Sequence, residues 1–387
     1  MKKCAVAATK GTLGAERPRY THVDLLRGLA AIAVLFFHYR MFYPDGNVLG
    51  PQTFHPERQP LFRLLWPLYE QGNLAVQLFW ALSGFVFMAT YSSDERTINP
   101  ARFVVWRFSR LYPLHIATLI YVAGIQAVSF RSTGSYSVVP INDIYHFGLQ
   151  LLMASNWGFE TGNSFNAPIW SVSVEVLIYM TFVMFMGSGR TGVVPTAVMI
   201  GLFALLSALF TNPVATCGFM FFLGVMTFHA SGLLGRLGRV VAGAAVTSGL
   251  VVTTLLATML FKTEHAGGAQ VVMFMCLPML LLTAATIDLG MKPVPQRWRW
   301  VGQITYAIYL IHMPIIITVV LLRRFGGTHY QTPDQLWFLL LYLTSVISCG
   351  AFIFRSFEMP AQNFIRRKWL RCDQRSLARG PQTSRLR

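Results

Sequence analysis

The sequence predicts an all-α, polytopic bundle of about ten membrane-crossing helices, with both termini cytoplasmic. Three observations carry this. Of 387 residues, 54% are hydrophobic and only 12% charged, whereas soluble domains carry about a quarter charged residues. Apolar runs of about 20 residues, the length a bilayer demands, recur along the chain. The basic residues sit between and beyond those runs. That placement also answers the net charge of +17: it is a membrane-topology pattern, and no nucleic-acid partner is expected.

In chain order, a basic tail (1–20) lacks the continuous apolar core of a signal peptide. The expected spans are 23–40, 72–91, 110–129, 168–187, 193–211, 213–231, 240–261, 269–288, 301–322 and 335–356. Gly, Pro, Asn and charged residues break the chain at GSGRTG, TNP, KTEHAGG and KPVPQRWRW. A long outer loop is expected at 41–71. The stretch 142–154 is too short to cross and carries Asp143 and His146, so it is read as interfacial. The membrane domain is expected over 21–365, followed by a basic cytoplasmic tail at 366–387. With the N-terminus inside, about 24 of the 32 basic residues fall on the cytoplasmic side and about 7 outside, the bias that orients membrane proteins. Cys4, Cys217, Cys276, Cys349 and Cys372 form no C-x-x-C pair, which fits neither a disulfide framework nor a zinc site.

Charges inside spans are costly and mark functional candidates. The first span, HVDLLRGLAAIAVLFFHYR, carries Arg27 and His38 about 16 Å apart on nearly one face. Asp24, three residues before Arg27, is placed to hold the guanidinium. A snorkelling Arg27 and an idle boundary His38 are the plainer alternatives. The fourth span opens NAPIWSVSVEVLIYM, with Ser171 and Tyr179 each four residues from Glu175. Glu175 is expected at the depth of His38, where a carboxylate would orient the imidazole as a general base; pairing with a structural arginine is the alternative. Before the third span, Arg107 and Arg110 lie one turn apart, with Arg102 upstream. Arginine suits phosphate through its planar fork, although, taken alone, membrane anchoring on the cytoplasmic side is the better explanation of such residues. In the ninth span, Tyr309 and His312 can share a face beside Pro314, lining a cavity or bonding a neighbouring helix.

Taken in order, these pieces resemble the acyltransferase-3 family: Arg27-x10-His38, LSGF at Leu82 to Phe85, Arg107-x-x-Arg110 with Tyr112-Pro113, WSVSVE at Trp170 to Glu175, YAIYLIH through His312, and FEMP at Phe357 to Pro360. The resemblance covers roughly 20–365. It implies a bundle of about ten helices that moves an acyl group from acyl-CoA, commonly acetyl-CoA, to a hydroxyl of a cell-surface polysaccharide, lipid-linked glycan or glycoside at a bacterial inner membrane. It also implies His38 and Glu175 as catalytic residues and Arg27, Arg107 and Arg110 as donor-binding residues, with Asp24, Ser173, Tyr309 and His312 in support and no metal. One departure is Gln77, where the family's second span usually carries Asp. Two rivals stand beside this reading. A secondary transporter or lipid-linked glycan flippase would show related halves and broken helices, which are not evident. An intramembrane metalloenzyme would need a ligand motif such as H-E-x-x-H, and the histidines are dispersed instead.

Overall fold

The computed structural model describes residues 20–43, 55–92, 99–210, 212–262, 267–290, 299–326 and 332–378. The N-terminal tail before Tyr20, part of the 41–71 loop, the KPVPQRW stretch and the last nine residues lie outside these. Fifteen helices follow in order: α1 (Thr21–His38), α2 (Phe62–Gln71), α3 (Leu74–Tyr91), α4 (Pro100–Thr133), α5 (Ile144–Leu151), α6 (Ile169–Gly187), α7 (Val193–Leu209), α8 (Pro213–Arg236), α9 (Arg239–Lys262), α10 (Gly267–Val271), α11 (Leu277–Gly290), α12 (Arg299–Gln303), α13 (Thr305–Gly326), α14 (Leu336–Ile353) and α15 (Met359–Ala378). No named β-strand occurs among the described residues.

Local chemistry explains several boundaries. Asn99 precedes Pro100 and accepts from the Arg102 amide at 3.1 Å, and Asn212 precedes Pro213 and accepts from Val214 at 2.8 Å. Each is an N-cap followed by proline at the first helical position. Gly134, at φ +70°, ends α4 in the left-handed conformation that glycine adopts without penalty. The expected interfacial segment is α5, capped by Asp143 on the His146 amide at 2.9 Å.

Nine helices are long and apolar enough to cross a bilayer among the described residues. The fifth expected span, α7, has 17 residues. Connectivity shows that it also traverses the bundle. The Thr191 backbone, just before α7, lies near His229 towards the end of α8, while Ser207 near the other end of α7 meets Thr216 at 3.2 Å. Helices α7 and α8 are therefore antiparallel, so the described residues hold nine helices of crossing length and one shorter apolar helix packed beside them. His22, at the start of α1, contacts Asp288 of α11, and Arg366 of α15 contacts Ser109 of α4.

Helix α13 is central, with 72% of its span buried, against 22% for α9. Helices α3 and α8 meet backbone to backbone. A Cβ on Gly84, in the LSGF run, would strike the Phe221 carbonyl, and one on Gly224 would strike that of Ala81. Small residues permit this backbone contact, which is how helices associate where lipid removes the hydrophobic drive. Around it pack Trp80, Phe85, Phe87, Phe182, Phe221 and Phe222. A second cluster joins Tyr39 and Phe42 to Ile316, Phe338 and Tyr342.

The 41–71 segment folds back on the bundle where it is described. Gly72, after α2, abuts Ala33 and Phe37 of α1, and Arg58 pairs with Asp334 at 3.0 Å.

The start of α1 lacks a cap from its own neighbour, Tyr20. Asp288 of α11 supplies it, accepting from the amides of His22 at 2.9 Å and Val23 at 3.3 Å and from the Thr21 hydroxyl at 3.0 Å. Asp288→Ala is expected to cost about 0.5–2 kcal/mol, the range for lost caps, read as a lowered unfolding midpoint in nanodiscs.

Candidate functional site

Five helices build one cavity of about 300 Å³. From α1 comes Arg27, from α4 Arg107 and Arg110, from α6 Ser171, Glu175 and Tyr179, and from α13 Tyr306 and Tyr309, while α3 contributes Ser83 and Phe87. Three of the residues expected to hold a donor thus line the same space.

Arg27 is held by Asp24 at 3.0 Å, the expected i,i+3 pair. The charges of Arg110 and Glu175 also act on it. Arg107 lies over the ring of Phe87, 4.1 Å from its centroid, with Phe103 at 5.6 Å and Tyr179 at 5.9 Å. Its Nε is buried without a hydrogen-bond partner. A guanidinium stacked on aromatic faces keeps its charge with little water, so this donor is poised for an anion.

Glu175 is buried and accepts from the Tyr179 hydroxyl at 3.0 Å; Ser83, of the LSGF run, lines the cavity with it. This corrects one expectation: Glu175 does not meet His38. The reason is where α6 begins. The chain before it, Ser164 to Ala167, is itself buried; Asn166 donates to the Leu310 carbonyl at 3.0 Å, and the Tyr309 hydroxyl donates to Pro168 at 2.9 Å. The first turn of α6 therefore lies beside the middle of the bundle, and Glu175, one and a half turns on, falls at the level of Arg27.

His38 instead meets His312, with ring centroids 4.8 Å apart. His38 Nδ1 lies 3.0 Å from the Val34 carbonyl, and His312 Nδ1 lies 2.6 Å from that of Tyr309. A carbonyl accepts only from N–H, so each ring carries its proton on Nδ1 and a lone pair on Nε2. The Nε2 of His312 is buried with no partner. This pair sits one turn of α13 beyond Tyr309, at the end of the cavity away from Arg107 and Arg110.

The supporting residues divide. Tyr309 lines the cavity and meets Ser171 at 2.6 Å. Ser173 is fully buried and donates to the Met153 carbonyl at 2.6 Å, tying the preceding loop to α6. Gln77 is not among the cavity residues.

Sequence reasoning passed over Glu358, inside the FEMP run that it quoted. A π-turn at Phe354–Glu358 swings this carboxylate inward until it is 2% exposed. Gln362 donates to one oxygen at 3.0 Å, the other is unpartnered, and its charge couples to Arg110. An acid at the end of an apolar run was the available signal. Among the described residues, no group of three or more His, Cys, Asp and Glu is arranged to hold a metal ion.

Residues 20–354 match a family model described as an acyltransferase domain. Over 174 residues, 43% of this chain, the sequence is 31% identical to "Acyltransferase MdmB" of Streptomyces mycarofaciens, covering 39% of that protein. Over 107 residues, 27% of the chain, it is 34% identical to "Protein 2 in picA locus" of Rhizobium radiobacter, covering 44% of it. The match thus spans about two fifths of each relative's length. No solved structure matches.

Proposed function

The chain belongs to the acyltransferase-3 family, and from that premise we propose that this membrane acyltransferase takes its acyl group from acyl-CoA, acetyl-CoA first among them, and delivers it to a hydroxyl of a cell-surface polysaccharide, lipid-linked glycan or glycoside. The observation that carries the reading is one cavity lined by three guanidiniums, with a pair of imidazoles one turn of α13 beyond its Tyr309.

In this reading the Arg107 end faces the cytoplasm, where acyl-CoA is available, as the excess of basic residues supports, and the enzyme sits in a bacterial inner membrane with both termini inside. The anionic donor docks at Arg107 and Arg110, and its thioester arm reaches along the cavity past Arg27 and Glu175. The acceptor approaches from the His38 side. His38 Nε2 takes the hydroxyl proton as oxygen attacks the thioester carbonyl; the C–S bond then breaks, and the proton passes on to the departing thiolate. Such base assistance is typically worth about 10²–10⁴-fold.

Glu175 serves the arginines and Tyr179 in this scheme, not the imidazole. The phenolic proton of Tyr309 already goes to Pro168, so donation to an oxyanion requires it to change acceptor. With Nδ1–H on a carbonyl, His312 offers a lone pair, which suits it to receive a proton from the neighbouring ring.

The test is thermal stabilisation of the purified protein in nanodiscs. At a concentration about 100 times the dissociation constant, acetyl-CoA should stabilise the wild type by about 2.7 kcal/mol, and an Arg107→Ala, Arg110→Ala double variant should lose that gain. No stabilisation by any acyl-CoA would overturn the donor assignment and return attention to transport.

A further inference from the structure

The basic residues at the donor end do not stop at the cavity. Arg366, on the first turns of α15, turns inward instead of out toward water or lipid. Its Nε donates to the Ser109 hydroxyl at 2.9 Å, and one terminal nitrogen donates to the Trp106 carbonyl at 3.4 Å. There the charges of Arg110 and Arg107 repel it. Trp106 is flanked by two guanidiniums, Arg102 at 5.0 Å and Arg366 at 5.6 Å from its ring centroid, and its edge meets Trp369 at 5.6 Å. Exposed Arg367, Lys368 and Arg371 continue the charge along α15. The carboxylate at this junction, Glu358, is buried and already shared between Gln362 and Arg110.

Anchoring at a membrane surface explains the exposed members of this group but not Arg366. A snorkelling arginine extends its charge toward water, whereas this one is fixed by two hydrogen bonds in the field of two like charges. Like charges brought together cost energy in proportion to their proximity and the dryness of the site. A bound polyanion reverses the sign of that term, and the planar fork of arginine is the group best shaped to hold phosphate.

We propose that the seam between α4 and α15, formed by Arg102, Trp106, Arg366 and Trp369, is the docking site for the phosphorylated head of the thioester donor, continuous with Arg107 and Arg110 at the cavity mouth. The assignment rests on the donor reading above and extends it. Arg107 and Arg110 take the part of the donor nearest the thioester arm, and the seam takes the distal phosphates. Helix α15, outside the span of the family match at 20–354, thereby becomes part of the active enzyme. Anionic lipid headgroups share the same phosphate chemistry, so the test must separate the two sources.

Wild type, Arg366→Gln and Arg102→Gln are purified in nanodiscs of phosphatidylcholine alone and with added phosphatidylglycerol. Affinities are measured for coenzyme A, for its analogue lacking the 3′-phosphate, and for phosphate-free pantetheine. Arg102 is exposed, so its variant keeps the test valid if Arg366→Gln folds poorly. Each variant should weaken coenzyme A about tenfold, the scale of one charge-assisted contact, narrow the preference for coenzyme A over the analogue lacking the 3′-phosphate, and leave pantetheine unchanged in both lipids. Unchanged coenzyme A affinity in both variants overturns the proposal, as does equal weakening of pantetheine, which would indicate a distorted cavity. Loss of phosphatidylglycerol-dependent stability with coenzyme A binding intact would make the seam a lipid anchor instead. Failure of the wild type to bind coenzyme A or pantetheine would instead sink the donor reading itself, and the seam assignment with it.

Discussion

His38→Ala is expected to lower turnover by about 10²–10⁴-fold, the range for losing a general base, while acetyl-CoA still stabilises the protein. The separation follows from geometry. His38 is not among the cavity residues around Arg27, Arg107 and Arg110, so removing its ring leaves the donor's anionic contacts in place. Its Nδ1 bonds only the carbonyl one turn earlier on its own helix, so the substitution leaves no distant group unpaired. The measurement is thiol release from acetyl-CoA with a panel of glycans and glycosides, beside the thermal shift on the same sample. Full turnover in the variant would remove His38 from the mechanism. Loss of both readouts together would mean that it shapes the fold.

The largest expected effect on stability belongs to the glycine contact between α3 and α8. Gly84→Ala and Gly224→Ala each place a methyl group against a backbone carbonyl of the other helix. A flexible side chain can move aside from an added methyl; a helical backbone moves only with its whole helix. Overpacking typically costs about 1–3 kcal/mol and occasionally more, and a backbone obstacle belongs at the upper end. The separation would also displace Ser83, which lines the cavity with Glu175, so activity should fall with the melting temperature. Gly124 in α4 is the control: nothing lies within 4 Å of its Cβ position, and alanine there should stabilise by about 0.5–1 kcal/mol. Equal melting temperatures for Gly84→Ala and wild type would show that the helices can slide apart freely.

These residues also mark how far the sequence could be read. LSGF was recognisable as a motif, but its physical content was not. Gly84 and Ser83 acquire their roles from α8 and α6, more than 80 residues away along the chain. Asp24 with Arg27 was legible because both lie on one helix, where a spacing of three sets the distance. Glu175 with His38 was misjudged because depth was counted from the start of an apolar run. That run begins inside the bundle, after a buried, non-helical approach stabilised by Asn166 and Tyr309. Glu358 needed a π-turn to face inward, and hydropathy carries no signal for such a turn.

Composition, run length and the placement of arginine and lysine determined that the chain is a helical membrane bundle, where its spans fall, and which charged residues were candidates. These are properties that each helix satisfies alone, because a backbone in lipid must bond internally whatever its neighbours are. Tertiary structure alone decided which candidates meet. Arg27, Glu175, Arg107 and Arg110 share one cavity, and His38 finds His312, since contacts between helices depend on rotation, depth and close approach, and no periodicity within a single helix records them.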